Sequence, residues 1–205
     1  MSSWMLTGAS IIGPGHENDC TPNQDAFLVR RINGGFLMVV CDGMGSRIHS
    51  DIGSKLACRA VLEVVRKSSF SIDARVFIEQ IYKLWLKLLG NIVPNDAITT
   101  CLISWGNPRG QVRYFQLGDG RVLAPDMVQE SDADRAFGNE TTGLGQSKKY
   151  SDWSVNNGVV VKGQAIVMMT DGISEDLQPG CGLSLINALC VDMTGKSSRR
   201  GKKYL

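Results

Sequence analysis

A chain of 205 residues, 43% of them hydrophobic, fits one domain with a substantial core or at most two small ones. Its 22 Lys and Arg against 20 Asp and Glu leave a net charge of +2, too small for a dedicated nucleic-acid binder, so protein or small-molecule partners are expected. No apolar stretch approaches the ~20 residues that a membrane-spanning helix requires.

Residues 4–12 read as an opening strand interrupted by Gly8 and ended by the turn Gly13-Pro14-Gly15. His16 follows, and on local grounds a lone histidine in a polar loop is a solvated side chain. Asn23-Gln24-Asp25-Ala26 then leads into a strand over 27–31. The next apolar run, Leu37-Met38-Val39-Val40-Cys41, ends abruptly in Asp42-Gly43-Met44-Gly45, a buried strand delivering a carboxylate to a loop. Asp-Gly is also a common turn dipeptide, so one such site says little. A carboxylate at the end of an apolar strand is costly unless a positive group pairs with it, and no Lys or Arg adjoins Asp42. Oxygen donors suit a hard divalent cation, magnesium or manganese.

After Ser46 the period becomes helical. Ile52, Leu56, Ala60, Val61, Val64 and Val65 share a face, opposite Lys55, Arg59, Glu63 and Arg66, with Ser50 or Asp51 as N-cap. A second helix is expected over 73–89, capped by Asp73, with Val76, Phe77, Ile81, Leu84, Trp85 and Leu88 on its apolar side. Strands follow over 97–105 and 111–117, joined by the turn Gly106-Asn107-Pro108-Arg109-Gly110. The second of them ends in Gly118-Asp119-Gly120-Arg121, which a plain turn also explains. Residues 126–161 are polar and poorly periodic, an irregular, flap-like segment. A strand over 164–169 repeats the earlier pattern, running into Thr170-Asp171-Gly172 and on to Glu175 and Asp176. A short helix over 183–191 comes next. The basic run Arg199-Arg200-Gly201-Lys202-Lys203 reads as a solvated end.

The six cysteines, at 20, 41, 58, 101, 181 and 190, contain no Cys-x-x-Cys pair, and two histidines are too few for a zinc cage. Cys41 and Cys101 lie in strand-like runs and read as small buried core residues. With no secretory leader recognisable, a reducing cytoplasm is expected.

The order Gly13-x-x-His16, Asn23-Gln24-Asp25-Ala26, Asp42-Gly43-Met44-Gly45, Gly118-Asp119-Gly120 and Thr170-Asp171-Gly172 resembles the metal-dependent serine/threonine phosphatases of the protein phosphatase 2C type. Asn139-Glu140-Thr141 is similar to a motif of their bacterial branch. Each motif alone is weak; five in this order across nearly the whole chain are specific. The resemblance implies a single α+β domain over 1–205, a four-layer α/β/β/α sandwich of two antiparallel sheets flanked by helix pairs. It also implies two Mn2+ or Mg2+ ions, with a weaker third. Asp42 would bridge the ions, Gly43 lend its carbonyl, Asp171 complete one shell and Asp25 orient water, while Asp119 would serve the additional ion. Glu175 is a further candidate metal ligand, and His16 occupies a motif position suited to holding or protonating phosphate.

Three departures from the family pattern stand out. Cys20 occupies the place of an arginine that grips the substrate phosphate in many members, leaving His16, Arg47 and water as candidates for that task. Met44 stands where eukaryotic members carry a histidine. The family closes its metal site with a further Asp near a final strand, yet no acid follows Asp192, so the chain is expected to lack its C-terminal strand or strands.

The implied activity is hydrolysis of phosphoserine and phosphothreonine in proteins by a metal-activated water, in a cytoplasmic, monomeric signalling enzyme that binds neither nucleic acid nor membrane. The alternative is a phosphatase-like regulatory or binding module, favoured by Cys20 and Met44; the intact Asp25, Asp42 and Asp171 favour the enzyme.

Overall fold

The computed structural model describes residues 4–12, 21–125, 142–178, 180–193 and 195. His16, Cys20, the Asn139-Glu140-Thr141 motif and the basic run 199–203 lie outside the described residues.

The antiparallel hairpin β1 (Ala26–Ile32) and β2 (Gly35–Cys41) turns at Asn33-Gly34, both at positive φ, where glycine and asparagine are tolerated best. β2 pairs on its other side with β3 (Cys101–Gly106), β3 with β4 (Gln111–Leu117), and β4 with β6 (Ser154–Val159), giving a five-stranded antiparallel sheet in the order β1-β2-β3-β4-β6. β5 (Arg121–Leu123) and β7 (Val167–Met169) form a separate two-stranded antiparallel sheet.

Alternation along the strands assigns each side chain to one of two faces. From β2, Leu37, Val39 and Cys41 enter a core with Ala57, Val61 and Val65 of α1 (Ser50–Lys67) and Phe77, Ile81 and Trp85 of α2 (Ala74–Leu89). The intervening Phe36, Met38 and Val40 face the opposite way, into a cluster with Tyr114, Val122 and Met168 that lies between the two sheets. On the far side of the small sheet, Leu123 and Met169 pack on Ile186 of α4 (Gly182–Met193). The layer order is therefore helix pair, large sheet, small sheet, helix, the expected α/β/β/α sandwich. The outer layer beyond the small sheet holds α4 and the four-residue α3 (Asp171–Ser174) among the described residues.

Several local expectations need correction. Residues 4–12 form no regular strand; a Cβ on Gly8 would meet the Phe27 ring at 2.6 Å, so the segment lies across β1 by close approach. Within the segment expected to be irregular, Ser154–Val159 is β6, an edge strand whose Ser-Val-Asn-Asn-Gly-Val sequence has too few apolar positions to show a period. Ser50 is the first residue of α1 rather than its cap, and the N-cap His49 makes no side-chain cap bond. Asp73 caps α2 as expected, its carboxylate accepting from the N–H groups of Arg75 at 2.9 Å and Val76 at 3.2 Å. The five described cysteines are free thiols, with Cys41, Cys58 and Cys101 buried. No helix among the described residues is long and apolar enough to cross a membrane.

Candidate metal centre

The buried strand β2 ends at Cys41, and the next residue, Asp42, has its backbone held on both sides. Its N–H donates to Thr100 Oγ1 at 2.8 Å. Its carbonyl accepts from the Thr100 N–H and from Thr99 Oγ1, each at 2.8 Å. Thr99 and Thr100 are themselves buried, at the entry to β3. With the main chain fixed in this way, the Asp42 side chain has little freedom but rotation about its own bonds.

Gly43 is required by its surroundings. A Cβ there would lie 2.7 Å from the Gln24 carbonyl oxygen and 2.7 Å from that of Ser50, both backbone atoms. The Gly43 N–H donates to the Gln24 carbonyl at 3.2 Å, and Ser54 Oγ donates to the same oxygen at 2.6 Å. Gln24 is buried and its Nε2 donates to Ser50 Oγ at 2.8 Å. Through this polar seam in the first turns of α1, the residue preceding Asp25 is fixed against the residue following Asp42. Asp25 adds a turn of its own, its N–H donating to Asn23 Oδ1 at 2.9 Å.

The third acid arrives from the other sheet. Thr170 is the N-cap residue of α3, and its hydroxyl donates to Asp25 Oδ2 at 3.2 Å. Asp171, next in the chain, is close enough to hydrogen-bond Asp42. The outcome is a crowded trio. Burial, the charge of Asp25, and then hydrogen bonding and charge from Asp171 push the Asp42 carboxyl from the ordinary range up to about 9. Like charges so close hold on to a proton unless a cation takes its place.

Asp119 lies at the exposed tip of the Gly118-Asp119-Gly120 turn, whose two glycines both have φ +87. A Cβ at Gly118 would strike Thr100 Cγ2 at 2.7 Å and one at Gly120 the Met169 carbonyl at 2.8 Å. The turn is thus wedged between the threonine that holds Asp42 and the strand that delivers Asp171. Glu175 is exposed one turn beyond Asp171, its N–H donating to the Asp171 carbonyl at 2.9 Å, and Asp176 is exposed as well.

Asp25, Asp42 and Asp171 are therefore brought together, with Gly43 beside them and Asp119 on an adjoining turn. Among the described residues no three His, Cys, Asp or Glu side chains are spread around a common point as a preformed cage. The carboxyls act on one another instead, Asp25 and Asp171 both raising Asp42 through charge and hydrogen bonding. Hard oxygen donors that crowd each other into holding a proton are the donor set a divalent magnesium or manganese ion fits. Sequence reasoning missed Gln24, Ser50, Ser54, Thr99 and Thr100, the residues that hold the acids in place. Ser50 and Ser54, one turn apart on the otherwise apolar buried side of the helix, were the readable signal.

Comparison with solved structures gives the same fold at low identity. The photosystem II phosphatase PBCP matches with TM-score 0.67 and 14% identity over 95% of this chain and 74% of that one. The catalytic domain of the serine threonine protein phosphatase PstP, in complex with two manganese ions, matches with TM-score 0.60 and 10% identity over 98% of this chain and 87% of that one. RsbX in complex with magnesium matches with TM-score 0.54 and 16% identity over 90% of this chain and 78% of that one. A search of curated proteins finds no match. A sequence profile of the family described as Protein phosphatase 2C matches residues 12–198, nearly the whole chain, and the chain belongs to that family.

Proposed function

We propose that this chain is a manganese- or magnesium-dependent phosphatase of phosphoserine and phosphothreonine in proteins. The observation that carries the reading is the meeting of Asp25, Asp42 and Asp171, which leaves Asp42 holding its proton up to about 9. The manganese and magnesium bound by two proteins of the same fold support the choice of ions. Asp42, Gly43 and Asp171 are the proposed ligands, with Asp119 for an additional ion and Glu175 at the periphery. When bound, such ions supply a hydroxide-like water near neutral pH and neutralise charge on the phosphoryl group.

The chain's own residues do the positioning. Thr99 and Thr100 fix the Asp42 backbone. Asp25, anchored by Asn23 and Thr170, would accept a hydrogen bond from the attacking water and so orient it. His16 is the proposed partner of the phosphate or of the leaving group. No nucleophilic side chain is needed: Cys41 and Cys101 are buried beneath the acids, and burial pushes the Cys41 thiol up, away from the reactive thiolate.

The test is hydrolysis of a small aryl phosphate and of a phosphopeptide by the 205-residue chain with added manganese, followed by chelator. Turnover that the chelator abolishes is expected. No turnover on either substrate would make the chain a phosphatase-like binding or regulatory module.

A further inference from the structure

β1 is an outermost strand of the large sheet among the described residues, and the hairpin it forms decides which of its groups face outward. The turn has two residues, Asn33 and Gly34, and Ile32 pairs with Gly35 across it. A two-residue turn makes that closing pair the one that exchanges both main-chain bonds, and the pattern alternates from there. Ala26, Leu28, Arg30 and Ile32 therefore spend their N–H and C=O groups on β2. Phe27, Val29 and Arg31 turn theirs to the edge, where no backbone bond outside the ladder engages them among the described residues. Arg30 Nη1 donates to the Val29 carbonyl at 3.0 Å, a side chain in the place of a neighbouring strand. Edge strands are usually guarded by proline, charge or a bulge, and Phe27-Leu28-Val29 has none of these.

A wall runs beside this edge. Residues 4–10 pass along β1 in the opposite direction, fastened at one end by Arg31 Nη2 donating to the Trp4 carbonyl and at the other by Asn23 Nδ2 donating to Ser10 Oγ at 2.8 Å. Between these ties Gly8 lies against the Phe27 ring, which a Cβ would meet at 2.6 Å. A groove of about 320 Å³ results, lined by Thr7 and Gly8 of the wall and Phe27, Leu28, Val29 and Arg30 of β1. The strand beneath it leads to the acid trio: Val29 is four residues from Asp25, about 13 Å of extended chain. Asn23, which fastens the wall, also accepts from the Asp25 N–H.

We propose that the outer edge of β1 docks an extended segment of the phosphorylated protein substrate, main chain to main chain, so that the phosphorylated side chain reaches the acid trio at the Asp25 end. The proposal rests on the phosphoprotein reading of the site and deepens it by saying what holds the polypeptide on either side of the phosphate. Main-chain bonds to Phe27, Val29 and Arg31 supply affinity with little demand on sequence, as strand addition does elsewhere. An N–H of the incoming segment takes the Val29 carbonyl and releases the Arg30 guanidinium, which then pairs with an acidic side chain of the substrate.

The test uses the full chain loaded with manganese, a phosphoserine peptide with acidic residues in both flanks, and a small aryl phosphate that has no flanks. Val29→Pro deletes one outward N–H and leaves the bonds to β2 in place. It is expected to weaken calorimetric binding of the peptide and to raise its KM about tenfold, while manganese affinity and the KM and kcat for the aryl phosphate stay at wild-type values. Arg30→Glu leaves the main chain alone and decides the matter if the proline variant does not fold: it should weaken the acidic peptide and strengthen one with basic flanks. Peptide binding unchanged in both variants overturns the proposal and, alongside normal turnover, leaves the hydrolase reading standing. Equal losses on the peptide and the aryl phosphate also overturn it, since the effect would then lie in the centre itself. Edge-dependent peptide binding by a chain without turnover supports the proposal and sinks the hydrolase. A dimer in sedimentation that Val29→Pro disperses, with peptide binding unaffected, gives the edge to a second copy of the chain and overturns the proposal.

Discussion

Thr170 donates its hydroxyl to Asp25 Oδ2 at 3.2 Å across a separation of 145 residues, and the bond joins the two sheets at the candidate metal centre. Asp25 precedes β1 of the large sheet and Thr170 follows β7 of the small one. The site is thus a product of sheet-on-sheet packing: Phe36, Met38, Val40 and Met168 set the spacing between the layers, and the polar bond sits where that apolar interface ends. Thr170→Val keeps the shape of the side chain and removes this bond. It should cost about 0.5–1.5 kcal/mol in denaturant unfolding. It should lower turnover by more than it lowers manganese affinity, because Asp25 is proposed to orient water; equal losses in both would remove that role from Asp25.

The pH dependence of the metal-free chain follows from Asp42. Unfolded, its carboxyl ionises near 4; folded, it keeps its proton to about 9. Between those values the folded state binds the extra proton, so stability falls as pH rises. The contribution is fully present below about 4 and lost on passing through about 9. Manganese replaces the proton, so the gain in Tm on adding manganese should be larger at pH 8 than at pH 5. Asp42→Asn removes the titrating group and should flatten the metal-free profile while abolishing the metal response; an unchanged profile in that variant would assign the dependence to other groups.

The main elements of this arrangement were legible because they follow periods. The alternation in β2 and the three- and four-residue steps in α1 and α2 reflect burial of one face, a property each residue shows in its own neighbourhood. The three acids were legible for a different reason, since each follows or precedes an apolar run that brings it to a strand end. Thr99, Thr100 and Gln24 were not, because their work is done on partners far away in sequence: Thr100 serves Asp42, 58 residues back, and Gln24 serves Ser50, 26 residues on. β6 escaped notice because an edge strand with one face open has few apolar positions to betray it. Local pattern reports what an element buries and is silent on which side-chain hydroxyl a distant backbone will need.

Thr100→Val tests the clamp on Asp42. The substitution is close to isosteric, but it leaves the Asp42 N–H without the Oγ1 acceptor it has at 2.8 Å. Leaving that group unsatisfied should cost about 1–3 kcal/mol. Manganese affinity should fall with it, because the main chain that aims Asp42 is loosened. Wild-type manganese affinity at reduced stability would show that the carboxylate is aimed by something other than this bond.

Gly43→Ala examines the tightest point of the site. The added methyl would come within 2.7 Å of two backbone oxygens, those of Gln24 and Ser50, and neither can swing aside as the end of a flexible side chain would. Relief requires moving the start of α1, the Asp42 loop or the strand entry at Gln24, and each of these carries a proposed ligand or its support. Overpacking of this kind costs about 1–3 kcal/mol, occasionally more. The expected outcome is a folded, less stable chain whose manganese affinity and phosphatase rate both drop sharply, while Gly45→Ala, whose Cβ would meet only Gln24 Oε1 at 3.8 Å, leaves stability and metal binding near wild type. Calorimetric manganese titration of the two variants side by side checks this: near-equal affinities would mean that the close approach at Gly43 serves folding alone and that its carbonyl is not among the metal ligands.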